Sequence, residues 1–418
     1  MTALSKVLTI NFGGIGDEIL FLPTLKEVRM ALPQAKITLL VEPRSRSIEQ
    51  VTDLIDSVIT FDIKKRPLLP TDLWQLVSLI RAGAYDLVIS SGSSPQVAAL
   101  LFLSGIPVKI GYGSNPLAKL LLTHPVPLSR NQYAGNMYHD LIQGLKNYLH
   151  DDQTALISPE TAVAAAQPQK PVLTQIPQII VKDEARMAMQ ELLAQADPAI
   201  NGGAVDGNAG GTAGSAPVKI VLIHPGTSTM AVQKGIIKTW PSENWLALIE
   251  KLSQTGDLPF KLRIVLAGGP DDQEVIKAIE AKLDQSQAGR PANFQSLAGK
   301  TRGLSDLAAL IERSHVMVCV DSAPMHLAVG LNKKIVALFG PTEPEKLIPN
   351  SPNFRVLADR PAAASDRPPN TFASPAVSPS TSAAGSSTEP PRSLLDGLGV
   401  RLQPDIVYQS LLDLLKAE

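Results

Sequence analysis

The sequence predicts an α/β fold class with two doubly wound halves, each built on a parallel sheet. Three observations predict this class. The chain has 418 residues, enough for two or three ordinary domains. Hydrophobic residues make up 44% of it, enough for sizeable cores. Short apolar runs alternate with helical patterns, and the alternation restarts after a Gly/Ala-rich stretch, which is typical of two α/β units in one chain.

The first half alternates strands and helices from its beginning. Its apolar runs are short and bounded by Gly, Pro or Ser, whereas the longer stretches carry apolar residues at helical spacing. The predicted strands are Val7–Phe12, Lys36–Val41, Val58–Asp62, Tyr85–Ser90 and Val108–Gly111. The predicted helices are Asp17–Ala31, Thr71–Ala82 and Pro95–Leu103. Short apolar strands between helices favour a parallel sheet that is covered on both faces.

The second half repeats this pattern. Its predicted strands are Lys219–Ile223, Arg263–Ala267, Val316–Val320 and Ile335–Phe339. Its predicted helices are Ser242–Ser253, Asp271–Leu283, Leu304–Arg313 and Ala323–Leu331. A last helix is predicted near Pro404–Lys416, and the sequence leaves open which half it packs against.

Low-complexity stretches divide the chain into five parts. Residues 196–217 hold six Gly and six Ala and are predicted to be flexible. The five parts are an N-terminal α/β domain (1–157), an interdomain connection (158–217), a C-terminal α/β domain (218–358), a Pro/Ser/Ala-rich disordered segment (359–393) and a C-terminal helix (394–418).

Charge and cysteine content limit the function classes. Lys plus Arg number 38 and Asp plus Glu 39, and this balance argues against a nucleic-acid scaffold. The one cysteine, Cys319, can form neither an internal disulfide nor a Cys-based zinc site, which favours a reducing, cytoplasmic location. No apolar run reaches the roughly 20 residues of a membrane helix. We therefore expect a cytoplasmic protein that at most contacts a membrane surface and has no nucleic-acid partner.

The first candidate motif follows the first predicted strand. In INFGGIGDEILFLPTLKEV, Gly13, Gly14 and Gly16 precede a helix that starts at about Asp17. Glycines allow a close backbone approach, and a helix N-terminus offers free N–H groups to an anion. Asp17 fits two roles, an N-cap or a reactive carboxylate, and the local pattern favours the cap.

The second motif follows the first strand of the second half. In HPGTS, Thr227 and Ser228 offer hydroxyl and amide groups suited to phosphate oxygens, and Lys238 offers a positive charge. The alternative is a polar surface loop. Trp240 and Trp245 are predicted to be packing residues.

Two further motifs also join a strand end to a helix start. In VLAGGPDDQE, Glu274 or Asp271 fits a ribose hydroxyl, or an acidic residue that complements the helix dipole. In VDSAPMHLA, Asp321 and Ser322 precede Pro324, and His326 lies in the first helical turn, where the neutral imidazole is favoured. The alternative is an N-cap with a satisfied core histidine. ALFGPTEP repeats the strand-end pattern, and no metal-binding spacing is present in the sequence.

Taken in order, these motifs resemble glycosyltransferase family 9, the ADP-heptose:lipopolysaccharide heptosyltransferases. The matching pieces are GGIGDEILFLPTLKEV, LLTHPVPL, HPGTS with KTWPSENW, LAGGPDDQE, VDSAPMHLA and ALFGPTEP. The resemblance implies a GT-B fold, in which two Rossmann-like doubly wound domains face each other across a cleft. It also implies inverting transfer of a sugar from a nucleotide donor, bound by the C-terminal domain, to a glycolipid or glycan acceptor. Neither a cofactor nor a metal is expected, since the nucleotide sugar is a co-substrate.

The resemblance also implies roles for individual residues. Asp17 becomes the general base, and Asp321 and His326 orient the donor sugar and the helix end. Glu274 binds the nucleotide ribose. The implied diphosphate contacts are Thr227, Ser228, Lys238, Ser322 and Ala323, the last through its N–H. The acceptor-side candidates are Gly14, Gly16, Lys64, Lys65 and Arg66, and for the three basic residues a solvated surface run is the alternative.

The sequence departs from the family between HPGTS and KTWP. The added stretch MAVQKGII lengthens this loop, and Lys234 within it is a partial substitute for Lys238. Two other functions stay open at this point: a nucleotide-sugar epimerase of similar architecture and a non-catalytic nucleotide-sugar-binding protein. Peripheral contact with the cytoplasmic membrane face is also expected.

Overall fold

A computed structural model describes residues 4–65, 67–154, 174–195, 216–233, 235–359 and 400–417. Arg66, Lys234, residues 196–215 of the Gly/Ala-rich stretch and residues 360–393 of the Pro/Ser/Ala-rich segment lie outside this range, so the predictions made for them stay predictions. Within the described residues the strands form two six-stranded sheets, one in each half of the chain.

The described part of the first half contains six strands and six α-helices. Its strands are β1 (Lys6–Ile10), β2 (Lys36–Val41), β3 (Ser57–Thr60), β4 (Leu87–Ser90), β5 (Val108–Tyr112) and β6 (His124–Val126). Its helices are α1 (Ile15–Ala31), α2 (Pro70–Ala82), α3 (Pro95–Leu103), α4 (Pro116–Leu121), α5 (Ala134–His139) and α6 (Ile142–Thr154), and Pro43–Gln50 is a 3₁₀ helix. β6 and α4 to α6 were not predicted. β6, α4 and α5 are three to six residues long and carry little hydrophobic periodicity, whereas the 13-residue α6 was missed despite its length.

The second half begins after a connecting helix, α7 (Asp183–Ala194). Its strands are β7 (Val218–His224), β8 (Lys261–Leu266), β9 (Phe294–Ser296), β10 (Val316–Val320), β11 (Ile335–Phe339) and β12 (Phe354–Ala358). Its helices are α8 (Thr229–Gln233), α9 (Ser242–Ser253), α10 (Gln273–Gln285), α11 (Leu304–Arg313), α12 (Ala323–Gly330), α13 (Pro344–Leu347) and α14 (Pro404–Lys416). The short strands β9 and β12 at the sheet edges were not predicted.

Both sheets have the same strand order. The first runs β3-β2-β1-β4-β5-β6 and the second β9-β8-β7-β10-β11-β12, and every neighbouring pair is parallel. In each half the connections from the first strand therefore lead towards one edge of the sheet, and those from the fourth strand lead towards the other edge. A sheet of this kind binds ligands beyond the carboxyl ends of its strands at the point where the strand order reverses. The expected sites thus lie after β1 and β4 in one half and after β7 and β10 in the other.

Alternation along the strands separates two apolar layers in each half. On β1, Val7 faces the core shared with α1, whereas Leu8 and Ile10 face a second core built with α2, α3 and α4. The core that contains Val7 continues into the second half through α11 and α12. One continuous apolar cluster therefore connects the two halves.

The connecting and final helices both pack on the second half. α7 packs against α11, and Arg186 of α7 forms an ion pair with Glu312 (Nε to Oε2, 2.6 Å). α14 packs against α9, β10 and β11, with Val407 and Leu411 fully buried. This answers the question that the sequence left open for the last helix. In the described part of the chain, no helix is both long and apolar enough to cross a membrane.

Candidate active site

Asp17 is held by two hydrogen bonds at the start of α1. The N–H of Gly14 donates to Oδ2 at 2.8 Å, and the hydroxyl of Tyr138 donates to Oδ1 at 3.0 Å. A side chain at Gly13 would overlap the Asp17 side chain, which explains the glycine there. The helix begins at Ile15 with Gly14 as its N-cap, so Asp17 is its third residue and not the N-cap that the local pattern favoured. Its half-buried carboxylate accepts from the Gly14 N–H and is fixed in orientation.

Tyr138 lies on α5, far from Asp17 in sequence. Burial raises the pKa of Tyr138 well above its usual value, and the negative charge of Asp17 raises it further. The phenol therefore stays protonated and acts as a donor. Its ring packs edge-on against Phe21 with centroids 5.8 Å apart, which fixes the direction of the hydroxyl. No sequence motif pointed to Tyr138.

Glu18, the next residue, is a buried carboxyl group. Burial raises its pKa well above the usual value, and the charge of Asp17 raises it further. The Asn11 amide and the Gly13 N–H favour the ionised form, but neither makes a hydrogen bond of good geometry to it. The adjacent carboxyl groups thus differ in role: Asp17 reaches the cleft, whereas Glu18 is enclosed in the protein.

The start of α1 meets the start of α12 from the other half. A Cβ atom added to Gly16 would lie 3.0 Å from Cδ2 of His326 and 3.7 Å from Cα of Ala323. Gly16 therefore lies at the contact between the halves, and its missing side chain allows the close approach. This contact places Asp17 and the α12 N-terminus on opposite sides of one cleft.

His326 is buried beside this contact, with 5% of its surface exposed. Burial lowers the pKa of His326, while the charges of Asp321 and Asp17 act in the opposite direction. The imidazole is therefore neutral near pH 7. Among the described residues its Nδ1 atom has no hydrogen-bond partner. A neutral ring can present one N–H donor, as the sequence predicted.

Lys238, Asp321 and Thr342 form one polar cluster on the second half. Nζ of Lys238 lies 2.7 Å from Oδ2 of Asp321, and the Thr342 hydroxyl donates to the same oxygen at 2.8 Å. Asp321 is almost fully buried, with 2% of its side chain exposed. The cluster joins the KTWP, VDSAP and FGPTEP motifs, which are far apart in sequence. Lys238 reaches the predicted diphosphate region, and Thr342 was not predicted.

The N-terminus of α12 lies next to this cluster. Ser322 occupies the N-cap position, and its hydroxyl donates to the Val320 carbonyl at 3.3 Å instead of capping the helix. Within the described chain, no side chain caps the first turn of α12. The N–H of Ala323 is thus one of the groups at a helix start that suit an anion.

Thr227 and Ser228 lie one strand away, because β7 pairs with β10. Thr227 is buried, and the exposed Ser228 accepts a hydrogen bond from the Ala231 N–H at 3.3 Å, which starts α8. The preceding His224 is buried, and its Nε2 atom lies 3.6 Å from Oδ2 of Asp272. Burial lowers the pKa of His224, so it supports the loop as a neutral side chain.

Glu274 lies after strand β8, in the first turn of α10, and its side chain is exposed. Asp272, just before it, accepts a hydrogen bond from the Gly269 N–H at 2.7 Å. A side chain at Gly226 would overlap the Asp272 carboxylate. Asp272 therefore contacts the loop after β7 and the loop after β8. The Glu274 side chain takes no part in these contacts and is exposed.

On the acceptor side, a buried glutamate organises two cations. Glu42 forms ion pairs with Lys64 and, at 2.9 Å, with Nε of Arg44. An Nη atom of Arg44 lies 3.9 Å from the position of a Cβ on Gly14, close to Asp17. Lys65 forms an ion pair with Asp72 at 3.1 Å. Arg44 was missed by the sequence analysis, since the short 3₁₀ helix that carries it matches no motif in the sequence.

The two tryptophans are packing residues, as predicted. Trp240 and Trp245 are buried and pack edge-on with ring centroids 4.7 Å apart. Among the described residues, no group of three or more His, Cys, Asp or Glu side chains is arranged to hold a metal ion.

The sequence model of the family described as "Glycosyltransferase family 9 (heptosyltransferase)" matches residues 73–372. This range is more than two thirds of the chain. The chain belongs to glycosyltransferase family 9. It is a glycosyltransferase enzyme, and this membership argues against the epimerase and the non-catalytic binding protein that the sequence left open. The motif that contains Asp17 precedes the matched range, so its role rests on the geometry of the cleft.

Named relatives agree with the family. The chain is 24% identical over 334 residues to a lipopolysaccharide heptosyltransferase 3 of Escherichia coli, covering 78% of this chain and 81% of the relative. It is similar to the solved structure of E. coli ADP-heptose lps heptosyltransferase II, with a TM-score of 0.62, 20% identity and 98% of both chains covered. It is also similar to E. coli heptosyltransferase WaaC with ADP, with a TM-score of 0.55, 21% identity, and 85% and 91% of the two chains covered. These likenesses confirm the GT-B fold of this family 9 enzyme.

Proposed function

We propose that this family 9 enzyme transfers a heptose-like sugar from an ADP-linked donor to a lipopolysaccharide-type acceptor, with inversion at the anomeric carbon. One observation carries the proposal. The oriented Asp17 carboxylate of the first half faces the Lys238–Asp321–Thr342 cluster and the α12 N-terminus of the second half. This arrangement supplies a base and a diphosphate site on opposite sides of one cleft.

The base side performs the deprotonation. An acceptor hydroxyl that reaches Asp17 gives its proton to the carboxylate as its oxygen attacks the anomeric carbon. Gly14 and Tyr138 hold both carboxylate oxygens, so the base is oriented before the acceptor arrives. Attack from the face opposite the diphosphate in a single displacement inverts the configuration.

The donor side stabilises the leaving diphosphate. Lys238 supplies a positive charge, and the hydroxyls of Thr227, Ser228 and Ser322 together with the Ala323 N–H supply donors. These groups are held by the fold before the reaction, so they need little reorganisation as negative charge develops. Because they carry the charge stabilisation, we propose that transfer needs neither a metal ion nor another cofactor.

The remaining residues determine which donor and acceptor bind. We assign Glu274 to the ribose hydroxyls, and Asp321 and His326 to the donor sugar and the helix end. Two of the similar solved structures, E. coli ADP-heptose lps heptosyltransferase II and E. coli heptosyltransferase WaaC with ADP, support the same nucleotide here. Of the two acceptor-side glycines, Gly14 leaves space beside Asp17, whereas the space at Gly16 is taken by His326 and the start of α12. Lys64, Lys65 and Arg66 are the predicted acceptor-side cations, and Arg44 joins them through Glu42.

The decisive experiment replaces Asp17. We expect Asp17→Asn to lower kcat by about 10²- to 10⁴-fold, the usual contribution of a positioned base, and to leave donor affinity within a few-fold. Asp257→Asn, at an exposed loop position of the second half, is the matched control. Transfer at the wild-type rate by Asp17→Asn would show that another group is the base.

Donor identity and stereochemistry need separate measurements. We expect ADP-sugars to raise the melting temperature more than GDP- or UDP-sugars, and a response to UDP-sugars alone would contradict the assigned nucleotide. NMR of the product should show the anomeric configuration opposite to that of the donor. Transfer should continue in excess chelator, and loss of activity that added divalent metal restores would contradict the metal-free mechanism.

A further inference from the structure

The first half exposes large apolar side chains on α2, α3 and α4. Their exposed fractions are high for their type, with Leu120 at 79%, Trp74 at 62% and Phe102 at 55%. The other large apolar residues exposed on these helices are Leu73, Leu79, Leu103 and Leu117. Single exposed apolar residues are ordinary, but a group of them on neighbouring elements indicates an interaction site.

These residues belong to one layer of the structure. α2, α3 and α4 pack on the same face of the first sheet, where Leu76, Leu101 and Ala118 bury their inner surfaces in one core. The exposed side chains therefore lie on the outer surface of that layer. Arg81 connects two of the helices, since its guanidinium lies 5.9 Å from the Trp74 ring centroid and donates to the Leu103 carbonyl at 3.0 Å. We call this outer surface the α2–α4 face.

Positive charge borders the α2–α4 face. Arg81 on α2 and Lys119 on α4 are exposed on the face itself, and Lys65 precedes α2. Residues 67–123 contain two carboxylates, Asp72 and Asp86. Asp72 is buried in an ion pair with Lys65, and Asp86 accepts hydrogen bonds from the N-terminal backbone. The face thus combines aromatic and aliphatic side chains with cations and carries little opposing charge.

We propose that the α2–α4 face docks on a lipid bilayer with anionic headgroups. Exposed Trp, Phe and Leu enter the boundary between headgroups and acyl chains, while Lys and Arg are attracted to the negative surface. Tryptophan suits this boundary because its ring is apolar and its N–H is polar. A second copy of this chain fits less well, because a symmetric contact would bring the cations of the two faces together.

The position of the face relative to the cleft agrees with this occupant. Ser94 is the N-cap of α3 and accepts from a backbone N–H at 3.4 Å. Asn115 is the N-cap of α4 and accepts from a backbone N–H at 2.9 Å. Both caps follow the carboxyl ends of strands β4 and β5, at the sheet edge that also carries Asp17. A docked face would therefore hold the acceptor side of the cleft beside the lipid surface. This inference extends the proposed function, in which the acceptor is a glycolipid, but its test does not depend on sugar transfer.

The test measures binding of the full chain to vesicles. The probes are vesicles of phosphatidylglycerol and phosphatidylcholine in equal parts, and vesicles of phosphatidylcholine alone, in a co-sedimentation assay. We expect binding to the anionic vesicles that weakens as salt rises, since screening shortens the reach of surface charge. The variant Trp74→Gln/Phe102→Gln/Leu120→Gln should bind at least about tenfold more weakly, because interfacial binding scales with the buried apolar area.

A matched control replaces exposed apolar residues elsewhere. Met187 on α7 and Ile406 on α14 are 63% and 50% exposed, so Met187→Gln/Ile406→Gln removes exposed apolar side chains that lie outside the α2–α4 face. This control should bind vesicles as the wild type does. Circular dichroism and the nucleotide-induced rise in melting temperature verify that both variants are folded, since all five replaced side chains are on the surface.

Three results would overturn the proposal. The first is equal vesicle binding by the wild type and the triple variant. The second is equal binding to neutral and anionic vesicles at every salt concentration. The third is self-association of the wild type without vesicle binding, abolished in the triple variant, which would assign the face to a second copy. Vesicle binding without sugar transfer would instead contradict the proposed function and leave the docking face intact.

Discussion

Gly16 is the position where a single methyl group tests the contact between the two halves. In Gly16→Ala the added Cβ would lie 3.0 Å from Cδ2 of His326, whereas carbon atoms in ordinary contact are about 3.5–4.0 Å apart. Because His326 is 5% exposed, its ring cannot swing into solvent. The start of α1 and the start of α12 must therefore separate by a few tenths of an ångström, up to about 0.5 Å.

The effects on stability and on activity should differ. Overpacking costs about 1–3 kcal/mol, and Ala in place of Gly within a helix returns up to about 1 kcal/mol, so the net loss of stability is about 0–2 kcal/mol. A misplacement of about 1 Å in a reacting pair can lower the rate about 100-fold. A separation of about half that size should lower kcat about tenfold, because Asp17 moves with α1 while the donor groups stay with α12.

The assay measures kcat for nucleotide diphosphate release and, separately, donor affinity by calorimetry. Donor affinity should change little in Gly16→Ala, because the donor groups lie on the second half. Gly256→Ala is the matched control, since a Cβ there would meet no atom within 4 Å. A wild-type kcat in Gly16→Ala would refute the reasoning, because it would show that the halves do not meet at this contact during turnover.

Three further predictions test individual side chains. Tyr138→Phe keeps the ring contact with Phe21 but removes the hydrogen bond to Asp17. Since such a bond to a charged group is worth about 1.5–3 kcal/mol, kcat should fall at least about tenfold while donor affinity stays unchanged. An unchanged kcat would argue against a positioning role for Tyr138. Glu18→Gln should stabilise the protein more at pH 8 than at pH 4, as measured by urea unfolding. Burial raises the pKa of Glu18 above its value in the unfolded chain, so the stability of the wild type falls as pH rises between these two pKa values. A difference in stability that does not depend on pH would contradict this sign. Lys238→Met should lower the free energy of unfolding by about 3–5 kcal/mol, because it removes the ion-pair partner of buried Asp321. Lys238→Met/Asp321→Asn should restore most of that stability without restoring donor binding. Tight donor binding by the double variant would show that Lys238 does not contact the diphosphate.

Most of the fold could be predicted from the sequence because its signals are local. Short apolar runs such as Val316–Val320 and amphipathic helices such as Ser242–Ser253 have the predicted bounds. The strands that were missed, β6, β9 and β12, lie at or near sheet edges and are short or partly exposed, so they carry little apolar pattern. The docking of α14 could not be predicted either, because it depends on a groove formed by elements distant in sequence.

The candidate site likewise contains residues that local motifs indicate and residues that only the folded chain brings together. Strand-end motifs located Asp17, Lys238 and Asp321, since glycines and helix starts are visible in the sequence. Tyr138 and Thr342 complete the site through contacts that span 121 and 21 residues, and nothing local distinguishes either residue. The N-cap interpretation of Asp17 was wrong, because Asp17 is the third residue of α1 and accepts from the Gly14 N–H and the Tyr138 hydroxyl. Its role as a base stays a prediction.

The repeated strand order explains why a site of this kind arises between the halves. In each half the first and fourth strands are parallel neighbours at the point where the strand order reverses, and the loops that follow them carry the polar residues: Asp17 after β1, Thr227 after β7 and Asp321 after β10. In the proposed mechanism, one half alone would offer a base without a leaving-group site, or a diphosphate site without a base. Because α1 and α12 meet through Gly16, the two sets of loops lie close together, and a sugar bound between them would contact both. The chemistry therefore depends on the contact between the halves as much as on any single residue, which is why a methyl group at Gly16 should slow transfer while leaving donor binding intact.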